Sequence, residues 1–213
     1  AVDAVVFDFD GLIIDSETPI FRASAAALAE LGHHLTVEAW ATVVGHGEED
    51  SFRALQAAIG ARGDPEAYAP ACPAPRRSWC GTVPARPTGP PPRPRTPTPP
   101  SSSAAWVEGH LDRLGLRRRV GAVATADRVG GRSKPAPDTY LLACADLGAR
   151  PARSVALEDS APGIAAALAA GLTAVAVPSE ITRHTDLRAA HLSVPDLTHL
   201  DPVRLAALLD APT

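Results

Sequence analysis

The sequence predicts an α/β protein built on a parallel sheet, and three observations carry that expectation. Short apolar runs at Ala4–Phe7, 120–125, 154–157 and 173–177 end abruptly in polar loops, as strands buried on both faces do. Stretches with apolar residues at helical spacing lie beside them. From Trp106 onward the two kinds of segment alternate, the pattern of parallel strands joined by crossover helices.

The first strand is Ala4–Phe7, stopping at Asp8. A helix is predicted over 17–31, with Phe21, Ala25, Leu28 and Leu31 on one face and Gly32 as terminator. Two further helical stretches follow at 36–44 and 48–59. After Trp106 a helix runs to Leu114, then come a strand over 120–125 and a helix at Asp138–Leu147 closed by Gly148. A strand at 154–157 leads into a helix over 161–170. Ser160 stands at its cap, Pro162 in its first turn and Gly171 just past its end. The strand at 173–177 and weaker helical pieces complete the chain. Cys144, on a helix face with Tyr140, Leu141 and Leu147, reads as core.

A length of 213 residues gives room for one domain, or one domain with a small insert. With 46% hydrophobic and 21% charged residues the balance is that of a soluble globular protein. A formal charge of -4 gives no reason to expect nucleic acid or an acidic membrane as partner. Three cysteines without CxxC spacing favour neither a disulfide framework nor a zinc site. With no signal peptide or membrane-span pattern in the sequence, a cytoplasmic location is expected.

Three motifs carry chemistry. Asp8-Phe9-Asp10-Gly11 stands at the end of the first strand, where open α/β sheets hold their ligands. Two carboxylates two residues apart can share a pocket, one as nucleophile and one as proton donor. By itself the pair also reads as two solvated loop acids. Leu157-Glu158-Asp159-Ser160 ends a later strand, and adjacent acids there can hold a hard cation through oxygen; a helix cap is the plainer reading. Lys134, fixed ahead of a helix by Pro135 and Pro137, suits a phosphate contact or charge balance against clustered carboxylates.

In this order and spacing, DFDGLIIDSE from Asp8 to Glu17, KPAPD from Lys134 to Asp138 and LEDSAPGI from Leu157 to Ile164 resemble the haloacid dehalogenase superfamily. The likeness is to its phosphatases with a small helical cap. It covers residues 1–66 and 101–180 and extends to the turn at 169–172. It implies a doubly wound, Rossmann-like parallel-sheet core over 1–15 and 76–213, with a helical cap inserted at 16–75. It implies that Asp8 attacks phosphorus and that Asp10 serves as acid and then base. Mg²⁺ would be held by Asp8, the Asp10 carbonyl and Asp159, with Glu158 in support, and Lys134 would offset phosphoryl charge. The family's Ser or Thr at the end of the second core strand would be Ser101, with a serine patch ending a linker as the alternative reading. The expected ligand is a small phosphorylated metabolite of sugar phosphate or phosphoglycolate type, and the expected state a monomer or weak dimer. A β-phosphoglucomutase-like reading shares every core motif. It is disfavoured by Pro19-Ile20, where those relatives place a histidine, and by the cap loop, which reads Gly45-His46-Gly47-Glu48-Glu49-Asp50 where they carry a basic residue.

Residues 70–100 depart from the pattern. They hold 12 of the 22 prolines and the arginines Arg76, Arg77, Arg86, Arg93 and Arg95, and no Asp or Glu occurs between Glu66 and Glu108. Proline at that density removes ladder donors and breaks helices. The segment reads as an out-of-frame stretch of GC-rich DNA, restored near Ser101, or as a proline-rich insert. In the first case a cap-to-core helix and a central strand are lost, which leaves open a catalytically impaired, non-enzymatic relative.

Overall fold

The structure, a computed structural model, describes residues 1–44, 54–57, 59–60 and 103–210. The proline-rich segment 70–100, Ser101 and the loop from Gly45 to Asp50 lie outside the described residues. The elements are β1 (Ala4–Phe7), α1 (Glu17–Glu30), α2 (Val37–Ala41), α3 (Ala104–Arg113), α4 (Asp138–Leu147), β2 (Ser154–Glu158), α5 (Ala161–Ala169), β3 (Thr173–Ala176), β4 (Leu192–Ser193) and α6 (Pro202–Asp210). Residues 54–57 are helical as well.

The described strands form one sheet in the order β1-β2-β3-β4, every pair parallel. β2 is buried along its whole length, and its side chains alternate between two cores. Ala156 faces a cluster with Tyr140 and Cys144 of α4 and Ile164, Ala166 and Ala167 of α5. Val155 and Leu157 face the other side, with Val175, Val177, Val194 and Leu205 of α6. Helices therefore cover both faces of β2 and β3, which read as continuous apolar runs for that reason, whereas β1 is half-buried and its Phe7 is exposed. Burying each Val or Leu contributes about 1.5–3 kcal/mol. The small residues of α5 let it lie close on the sheet, and Ser160 caps it by accepting from the Gly163 backbone N–H.

A third cluster joins α1, α2 and residue 55 through Ile20, Leu28, Leu35, Trp40, Val44 and Leu55, with Ile181 reaching in from the loop beyond β3. α2 is shorter than the predicted 36–44 and is capped by Thr36, whose hydroxyl accepts from the Ala39 backbone N–H.

The strand predicted at 120–125 is a correction. The backbone is extended at Val120 and Thr125, but no described strand pairs with the segment. It faces β1 across a cavity of about 720 Å³ lined by Ala4–Asp8 and by residues 120–126. An apolar run becomes a strand when a neighbour completes its ladder; here that neighbour is missing among the described residues. β4, with two residues, was too short to announce itself in the sequence.

Candidate active site

Because β1 and β2 run parallel and in register, their carboxyl ends lie side by side. The ladder continues one step past β1, where the Asp8 backbone N–H donates to the Leu157 carbonyl at 2.9 Å. That step fixes Asp8 beside Glu158 and Asp159. The three residues offer carboxylate oxygens within 4.8 Å of one another. Lys134, in the loop before α4, reaches into the group. Its ammonium lies 2.7 Å from Asp8 Oδ1 and also contacts Glu158 Oε1.

Each acid has a distinct setting. Glu158 is fully buried; Oε1 accepts from the Tyr140 hydroxyl at 2.6 Å, and Oε2 from the Ser160 hydroxyl at 3.0 Å and backbone N–H at 3.2 Å. Asp159 is 1% exposed, and its Oδ2 accepts from the buried Thr182 hydroxyl at 3.3 Å. Asp10 is half-buried and lines the same cavity as Asp8, Lys134, Asp159 and the buried Glu17.

Glycine is required twice for steric reasons. Gly11 takes φ 89°, and a Cβ there would overlap the Asp159 carboxylate. A Cβ on Gly163 would overlap the Glu158 carboxylate, so α5 approaches β2 that closely only with glycine.

The cluster holds more negative charge than Lys134 offsets. Burial pushes the Asp8 carboxyl up to about 6, Glu158 adding to the shift and Lys134 opposing it. Burial, then Asp8 and Glu158, push Asp159 up to about 8. For Lys134 burial disfavours the charge, but Asp8 and Glu158 outweigh it, and the ammonium is held protonated above the usual lysine range. Burial and Glu158 raise the Tyr140 phenol well above its ordinary value.

Asp8, Asp10, Lys134, Glu158 and Asp159 thus converge on one place, as the sequence motifs anticipate; Ser101 lies outside the described residues. Sequence reading missed Tyr140, Thr182 and Glu17. Tyr140 carried a signal, since a tyrosine on a core face must place its hydroxyl against a partner. Thr182 had none, because its loop shows no periodicity.

Two stretches of the chain, residues 5–72 and 100–171, match family profiles described as haloacid dehalogenase-like hydrolase. The fructose-1-phosphate phosphatase YqaB of Escherichia coli (strain K12) is 35% identical over 194 residues, 81% of this chain and 95% of that protein. The YhcW protein of Bacillus subtilis (strain 168) is 33% identical over 206 residues, 85% of this chain and 86% of the other. Among solved structures, a hydrolase of the same family from Deinococcus radiodurans R1, crystallised with phosphate and sodium, superposes with a TM-score of 0.66. It is 24% identical, covers 99% of each chain and supports the fold. Among the described residues, no helix is long and apolar enough to cross a membrane.

Proposed function

This chain belongs to the haloacid dehalogenase-like hydrolases, and from that premise we propose that it is a magnesium-dependent phosphatase of small phosphate monoesters, with Asp8 as nucleophile. The observation that carries the reading is the Lys134 ammonium set against Asp8 and Glu158, with Asp159 adjoining, at the carboxyl ends of two neighbouring strands. A carboxylate backed by a fixed cation suits attack on a phosphoryl group, whose equatorial oxygens need positive charge.

The donor set fits a hard divalent cation: oxygen ligands only, close together, with two carboxyls pushed up by burial and by the neighbouring acids. Asp8, the Asp10 carbonyl and Asp159 would hold Mg²⁺, which when bound offsets charge on the phosphoryl oxygens. Glu158 stands behind, since both its oxygens already accept from protein donors. Asp8 attacks phosphorus as the ester P–O bond breaks, and Asp10 protonates the departing oxygen. Asp10 then takes a proton from the water that attacks the aspartyl phosphate, releasing inorganic phosphate and restoring Asp8. The α1–α2 cluster is read as the cap that selects the substrate, and the YqaB likeness favours a sugar phosphate.

The test is phosphate release from p-nitrophenyl phosphate and a panel of sugar phosphates and phosphoglycolate, with and without Mg²⁺. Release that requires Mg²⁺ is the expected result. Interconversion of glucose 1-phosphate without release would point to a mutase, and no turnover in Mg²⁺ would contradict the reading.

The metal also has a stability signature. Asp8 and Asp159 have folded pKa values raised above those of an unfolded chain. The stability they contribute is present below about pH 4 and is lost as pH rises through 6 to 8. The rise in Tm on adding Mg²⁺ is therefore expected to be small near pH 5 and about 5–10 °C near pH 8.5. Thermal melts check this, and Asp159→Asn should flatten the dependence.

A further inference from the structure

Both carboxylate oxygens of Glu158 are engaged. A fully buried carboxylate is costly unless donors surround it, and here they come from Tyr140, Ser160 and Lys134. Ser160 serves Oε2, whereas Tyr140 and Lys134 share Oε1. The Lys134 ammonium lies between that oxygen and Asp8 Oδ1, so where it stands over Asp8 depends on where Oε1 is held. Tyr140 is 3% exposed and packed in the α4–α5 core with Cys144 and Ile164. The ring is packed on that side while the residue also borders the cavity, and its hydroxyl donates to Oε1 at 2.6 Å.

We propose that Tyr140 is a positioning residue of the active site: its hydroxyl, through Glu158, sets the Lys134 ammonium where it meets the phosphoryl group. The inference rests on the phosphatase reading. It adds a residue that does not touch the substrate but sets how tightly phosphate is held. The core packing of the ring and the role of the hydroxyl are separable, because Tyr140→Phe keeps the first and removes the second.

The experiment is a double-mutant cycle on Tyr140→Phe and Lys134→Ala. It reads the dissociation constant of inorganic phosphate in excess Mg²⁺ by ³¹P NMR titration, alongside kcat and KM for p-nitrophenyl phosphate. Tyr140→Phe should weaken phosphate binding about five- to tenfold and raise KM more than it lowers kcat. In the Lys134→Ala background it should have no further effect, since the group it positions is gone. A melt confirms that each variant is folded, and Lys134→Gln replaces Lys134→Ala should the latter fail to fold. Equal weakening in both backgrounds would reduce Tyr140 to a packing residue and overturn the proposal, as would unchanged phosphate affinity or no phosphate binding by the unmodified chain. A chain that binds phosphate without turnover overturns the phosphatase reading and leaves the Tyr140 comparison intact.

Discussion

Asp8→Asn is expected to lower kcat by about 10⁴-fold or more, with the fold retained. Asparagine keeps the shape of the side chain, so the ladder bond from the Asp8 backbone to Leu157 survives. What is lost is the anionic oxygen that would attack phosphorus, and neither Glu158 nor Asp159 is placed to substitute for it. Glu158 is buried with both oxygens engaged. Asp159 lies under Gly11 and is held by Thr182. The same release assay checks the prediction, read against a melting curve of the variant. Residual activity near the unmodified level would mean that another group attacks.

Lys134→Ala is expected to cost about 10²–10³-fold in kcat/KM and to destabilise the fold as well. The ammonium contacts Asp8 and Glu158 together. Removing it leaves two carboxylates facing each other, one fully buried, and unpairing a buried charge costs about 3–5 kcal/mol. Mg²⁺ should recover part of the stability but little of the activity, because it would sit on the Asp8–Asp159 side of the cluster. Lys134→Arg should not restore turnover: a planar guanidinium is larger than the ammonium held between the two acids. Denaturant titrations with and without Mg²⁺ read the stability arm, and steady-state kinetics the other.

The parts legible in the sequence were those where one physical constraint dominates. β2 is buried along its whole length and β3 over most of it, so their apolar runs stood out, whereas β1 is only half-buried and its Phe7 is exposed; α5 was bounded by Ser160, Pro162 and Gly171. Asp8 and Asp159 were legible because each follows directly on an apolar strand, where an acid has no packing role. Residues 120–125 misled for the converse reason: an apolar run reports a wish to be buried and cannot report whether a partner strand exists beside it. The support of Glu158 was hidden more deeply. Tyr140 stands where core packing accounts for it, and only the three-dimensional arrangement shows its hydroxyl on a carboxylate 18 residues away. Gly163 is similar: it lies within the motif from Leu157 to Ile164, yet only the three-dimensional arrangement shows it against the Glu158 carboxylate.

The measurement that bears most directly on Asp8 as nucleophile is chemical trapping of the acyl phosphate. Turnover with a hydrolysable monoester in Mg²⁺ is quenched in acid, reduced with borohydride and read by peptide mass spectrometry. An aspartyl phosphate at position 8 is reduced to homoserine there, dependent on both substrate and Mg²⁺, and that is the expected result. Phosphate released at full rate with Asp8 recovered unmodified throughout would contradict the account.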